Sequence, residues 1–146
     1  DNQVTAKASN VYDGIDYVRS IQIGEDFFED CFKVQGSKTG IYDYVFHFES
    51  DVSVNTNLEL TDGTLGFDTN GYQHVLETKQ VKAEAGNALF SATVGGKELK
   101  INVNLALGQE LYLLKTMDNP VNRTRQTILV RSREENPSYG LRIEVQ

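Results

Sequence analysis

Leu99-Lys100-Ile101-Asn102-Val103-Asn104-Leu105-Ala106-Leu107 places an aliphatic residue at every second position, with lysine, asparagine or alanine between. Side chains on a β-strand alternate between faces, so this stretch has one face for a core and one for water. That half-buried alternation is the mark of an antiparallel strand. Gly95-Gly96 stands just before it, after the apolar run 90–94. Two adjacent glycines between two such runs predict a tight hairpin, because the favoured two-residue turns need positive φ.

Runs of similar strand-forming composition extend in both directions. They cover residues 4–9, 17–23, 27–35, 41–49 and 52–60 before the hairpin, and 111–116, 126–131 and 141–145 after it. Glycine-bearing segments separate many of them: Gly24-Glu25-Asp26, Gly36-Ser37-Lys38-Thr39-Gly40, and Ala106-Leu107-Gly108-Gln109, which predicts another hairpin. Residues 76–85 are rich in helix formers, but their apolar spacing is poor, so the expected form is strand and loop with at most a helical turn. About ten strands joined by short turns predict an all-β antiparallel sandwich, one domain over residues 1–146.

The 146 residues suffice for one core without a disulfide or metal staple. Cys31 is the sole cysteine, so no intrachain disulfide is available; within Phe27–Val34 it is expected to pack as a small apolar group. No apolar run approaches the roughly 20 residues of a membrane-spanning helix. The opening DNQVTAKASN has neither a basic start nor an apolar stretch, so no signal peptide is expected within this numbering. The net charge of −7 opposes binding to nucleic acid. The local exception is Arg123, Arg125, Arg131 and Arg133, a candidate contact for an acidic polysaccharide set against solvated strand ends.

Arg19 and Asp30 lie on the consecutive runs 17–23 and 27–35, each sharing its side with apolar neighbours. A charge on an apolar face is costly unless paired, so a structural Arg19–Asp30 ion pair is expected across the hairpin. In Tyr42-Asp43-Tyr44-Val45-Phe46-His47-Phe48 the aromatics share one face, which is either sandwich core or a sugar-stacking platform using Tyr42 and Tyr44. Asp43 and His47 are roughly 13 Å apart along a strand, too far for one metal ion. With two histidines and no CxxC or HExxH spacing, no transition-metal site is expected. Calcium needs only oxygens, which Asp62, Asp68 and Asn70 of a glycine-rich loop offer without EF-hand spacing. No GxSxG, GxGxxG or phosphate-binding loop is present, and no catalytic residue emerges.

Three successive segments nonetheless form a pattern: Tyr12-Asp13-Gly14-Ile15 leading to Arg19, then Phe27-Phe28-Glu29-Asp30-Cys31-Phe32, then Gly36 with Tyr42-Asp43-Tyr44-Val45-Phe46-His47. Together with residues 126–131, it resembles the C-terminal β-sheet region of heparinase II/III-like polysaccharide lyases. Such lyases cleave uronate-containing polymers by β-elimination, in which a base removes the proton beside the carboxylate. Their catalytic residues lie mainly in an N-terminal helical domain that has no counterpart here. The resemblance therefore implies a non-catalytic accessory domain, a periplasmic or secreted setting and an acidic polysaccharide partner. A stand-alone carbohydrate-binding module and a protein-recognition sandwich are the alternatives. The absence of tryptophan weighs against the module, although the seven tyrosines can serve in part.

Overall fold

The computed structural model describes residues 2–146. Twelve strands form two antiparallel sheets packed as a sandwich. They are β1 (Asn2–Tyr12), β2 (Ile15–Ile23), β3 (Phe27–Gly36), β4 (Tyr42–His47), β5 (Val54–Asn55), β6 (Leu60–Asp62), β7 (Val75–Val81), β8 (Gly86–Val94), β9 (Lys97–Leu105), β10 (Glu110–Met117), β11 (Thr124–Ser132) and β12 (Ser138–Val145). The larger sheet runs β1-β2-β3-β12-β9-β8-β5, and the smaller β4-β11-β10-β7-β6. No helix among the described residues is long and apolar enough to cross a membrane.

The alternation at residues 99–105 does what its period requires. Ile101, Val103 and Leu105 are buried while Lys100 and Asn104 are exposed. Gly95 and Gly96 both adopt positive φ, at 58° and 78°, and close the β8–β9 hairpin with Val94 opposite Lys97. The expected hairpin at residues 106–109 is instead a crossover between sheets. β9 is already flanked by β8 and β12, so no edge remains for β10, which joins the other layer. Leu107 is left 88% exposed at that turn. The expected strand 52–60 is two short pieces, β5 and β6, one in each sheet. In residues 76–85 the strand portion is β7, entered by a single 3-10 turn at Tyr72–His74.

The main core lies between the inner faces. Ile101, Val103, Phe90 and Leu141 from the larger sheet belong to one cluster with Leu111, Leu113, Ile128 and Val130 from the smaller. A second, smaller cluster occupies the outer face of the five-stranded sheet: Tyr112, Leu114 and Leu129, covered by Leu65 with Tyr72 and Val75. β10 and β11 are therefore buried on both faces, not half-buried. Their unbroken apolar runs, Leu111-Tyr112-Leu113-Leu114 and Ile128-Leu129-Val130, are the pattern that double burial needs.

Candidate functional site

The β2–β3 hairpin sets Arg19 diagonally from Asp30, opposite Phe32 in the register. Arg19 Nε donates to Asp30 Oδ1 at 2.9 Å and Nη2 to Oδ2 at 2.6 Å. Asp30 is fully buried, whereas the Arg19 side chain is 48% exposed. From the facing sheet, the Tyr44 hydroxyl donates to Asp30 Oδ2 at 2.8 Å. Tyr44 is thus a core residue, 4% exposed and stacked on Tyr139, and not part of a sugar platform. Burial, followed by the adjacent Asp30 charge, raises the Tyr44 hydroxyl well above the usual phenol range. Tyr42 is only half-buried; its hydroxyl donates to the Lys38 carbonyl at 2.6 Å.

Arg131 is likewise a structural cation. It pairs bidentately with Asp43 of β4, Nε to Oδ1 at 2.8 Å and Nη2 to Oδ2 at 2.7 Å. Nη1 donates to the Leu65 carbonyl at 2.7 Å, and the Tyr72 hydroxyl donates to the same Asp43 carboxylate. The guanidinium lies 5.4 Å from the Phe67 ring centroid and 5.9 Å from that of Tyr112. Both ionic side chains are buried, at 2% and 7% exposure. Arg131 Nη1 and the Tyr72 hydroxyl tie residues 65–72 to the outer face of the sheet, and the pairing with Asp43 joins β11 to β4, so Arg131 is withdrawn from any ligand. Its charge is held firmly, with its pKa raised first by the hydrogen bonds to Asp43.

The arginine cluster read from the sequence is therefore dispersed. Residues 123 and 131 are separated by roughly 26 Å of extended chain. Arg123 is exposed and donates to Ser50 Oγ. Arg133 makes a long 3.4 Å contact with Glu110. Arg125 differs from all of these. Its Nη1 is 3.4 Å from Asp118, its side chain is 31% exposed, and its Nε is buried without a hydrogen-bond partner among the described residues. Of the four, Arg125 alone lines a groove of about 590 Å³ on the outer face of the five-stranded sheet.

This groove lies between the segment entering β7 and the turn after β10. Val45 and Val121 contribute exposed apolar surface over the buried Leu114 and Leu129, and His47, His74, Asn70, Asp118 and Asn119 contribute polar groups. His47 Nδ1 is 2.7 Å from Thr127 Oγ1, which is 3.0 Å from Thr116 Oγ1. With Nδ1 engaged by Thr127, Nε2 is the ring nitrogen left for a ligand. Burial first, and then the charge of Arg125, lowers the His47 pKa, partly opposed by Asp118. A hydroxyl beside an imidazole is the geometry of a nucleophile and its base, but Thr127 is fully buried. Its hydroxyl orients His47 and is closed to a substrate. What the groove offers is recognition: a partly paired cation, a polarised imidazole and apolar surface.

Pattern reading passed over Thr127 and Asp118, although Arg125, Thr127, Leu129 and Arg131 form a visible period-two row on β11. Asp62 of the proposed calcium set is drawn to Lys79 instead. Among the described residues, no three His, Cys, Asp or Glu side chains gather as metal ligands. Cys31 is half-buried opposite Ser20 and Gly140, on the other face from Asp30, so it lies outside the core. Burial raises its thiol pKa, and Glu29 and Asp30 add to the shift. No protein-family model matches the chain, and no curated protein matches it.

Proposed function

We propose that the chain is a non-catalytic β-sandwich domain that binds an acidic polysaccharide in the outer-face groove. The accessory role is the one implied by its resemblance to the C-terminal region of heparinase II/III-like lyases. The observation that carries the reading is Arg125. It combines a guanidinium that is partly exposed and held by a long 3.4 Å contact to Asp118 with a position in the groove beside apolar surface. A planar guanidinium matches a carboxylate through two parallel hydrogen bonds. The apolar groups suit the C–H face of a pyranose ring, while His47, Asn70 and Asn119 suit its hydroxyls. Neighbouring apolar walls strengthen the ionic contact by lowering the local dielectric.

Affinity electrophoresis tests this reading through gels containing heparin, alginate or pectate, with a neutral glucan as control. Retardation by at least one acidic polymer, weakened by salt and by Arg125→Ala, is expected. Unchanged mobility in all three acidic gels refutes binding. Ultraviolet absorbance of the same mixtures separates binding from turnover. A steady rise from unsaturated uronide product, made by this chain alone, overturns the non-catalytic assignment.

A further inference from the structure

A second cavity lies where the two sheets part, beside the start of β4. Its volume is about 340 Å³, and its aromatic lining comes from separate strands: Tyr12 from β1, Tyr17 from β2, Phe32 from β3, Tyr42 from β4 and Tyr139 from β12. Tyr17 and Tyr42 are fixed in place. Tyr17 packs edge-on against Phe32 with centroids 5.2 Å apart, and Tyr42 is held by its hydrogen bond to the Lys38 carbonyl. Tyr12 is different: it meets Tyr17 edge-on at 6.4 Å, yet is 64% exposed. Lys38 also lines the cleft, and its half-exposed ammonium contacts Asp13 at 3.2 Å, but that carboxylate is fully exposed. An exposed pair of this kind holds its lysine weakly, leaving the charge available to another carboxylate.

We infer that this tyrosine cleft is a second subsite for the same acidic polysaccharide, taking a uronate ring against Tyr12 and Tyr42 with its carboxylate on Lys38. The electron-rich ring faces suit sugar C–H groups, and the Tyr42 wall, already fixed, lowers the ordering cost of binding. Asp43 borders both cavities, so cleft and groove adjoin across the beginning of β4. A polymer long enough to enter both would join two weak subsites, which multiplies affinity through effective concentration. The inference rests on the groove reading and adds a length requirement: short oligomers fill one subsite, longer ones both.

Isothermal titration with alginate-derived oligouronates of two and six sugars tests it, using the whole chain. The six-sugar ligand is expected to bind the native chain at least tenfold more tightly than the two-sugar ligand. Tyr12→Ala, at an exposed position compatible with folding, is expected to remove most of that gain while leaving two-sugar binding within twofold. Lys38→Ala serves as the second variant, with the same pattern expected. Arg125→Ala weakens both lengths. If Tyr12→Ala and Lys38→Ala both retain the full length dependence, the cleft is not a subsite, although the groove reading stands. If neither oligomer binds the native chain, nor do matching heparin and pectate oligomers, the groove reading fails and this inference with it.

Discussion

The Arg19–Asp30 pair is asymmetric, and its asymmetry predicts unequal losses. Arg19→Met keeps the aliphatic stem but strands a carboxylate with no exposed surface, leaving the Tyr44 hydroxyl as its remaining side-chain donor. Stranding a buried charge costs about 3–5 kcal/mol. Asp30→Asn keeps the shape and retains an acceptor, while the abandoned guanidinium, already 48% exposed, rehydrates. Losing part of a charge-assisted hydrogen-bond pair under those conditions costs about 1–2 kcal/mol. The double variant removes both charges, so its loss falls short of the sum by about 1–3 kcal/mol. Urea unfolding followed by far-ultraviolet circular dichroism at neutral pH measures all four proteins. Equal losses for the two single variants, or a loss below about 1 kcal/mol for Arg19→Met, refutes the claim that Asp30 is the uncompensated partner.

Arg131→Met strands Asp43 and frees the Leu65 carbonyl, so it costs about 3–5 kcal/mol; limited proteolysis is expected to cut first within residues 63–74, and cuts elsewhere contradict the role of Arg131 as their anchor. The Tyr72 hydroxyl is pushed up to about 12, first by burial and then by its bond to Asp43. A folded pKa above the unfolded value of about 10 favours the folded state below pH 10, and that contribution is lost as pH rises through about 12. Tyr72→Phe is therefore expected to flatten the alkaline fall in urea midpoint between those values, and an unchanged fall excludes Tyr72 as its source. The lowered His47 pKa has the opposite sign: its contribution is present above the ordinary histidine value of about 6.5 and fades as pH falls below it. His47→Gln is expected to reduce the stability loss below that pH in the same melts, and a parallel profile refutes this.

The sandwich was legible wherever one physical rule acted alone. At residues 99–105 alternation separates core from solvent, and at Gly95-Gly96 the turn conformation selects the residue. Arg19 and Asp30 are near in sequence and joined by a tight hairpin, so apolar neighbours on both strands were enough to pair them. Arg131 and Asp43 form the same kind of pair 88 residues apart, and no local rule brings them together. The arginines of β11 share residue type but not surroundings. Arg131 lies under a loop that covers the sheet, whereas Arg125 lies in an open groove; only the path of that loop distinguishes them. The aromatic row of β4 shows the same limit. Period two placed Tyr42 and Tyr44 on one side, but the facing sheet covers Tyr44 fully and leaves Tyr42 at the rim of a cleft.

The central claim is that the outer-face groove around Arg125 receives an acidic saccharide, and nuclear magnetic resonance mapping tests it most directly. Adding an alginate-derived hexasaccharide to the isotope-labelled chain is expected to shift the Val45, Asn119 and Arg125 amides and the His47 imidazole, with the Arg125→Ala chain shifting weakly or not at all. Shifts confined to other surfaces, such as residues 50–56, or an Arg125→Ala chain that responds like the native one, would contradict it.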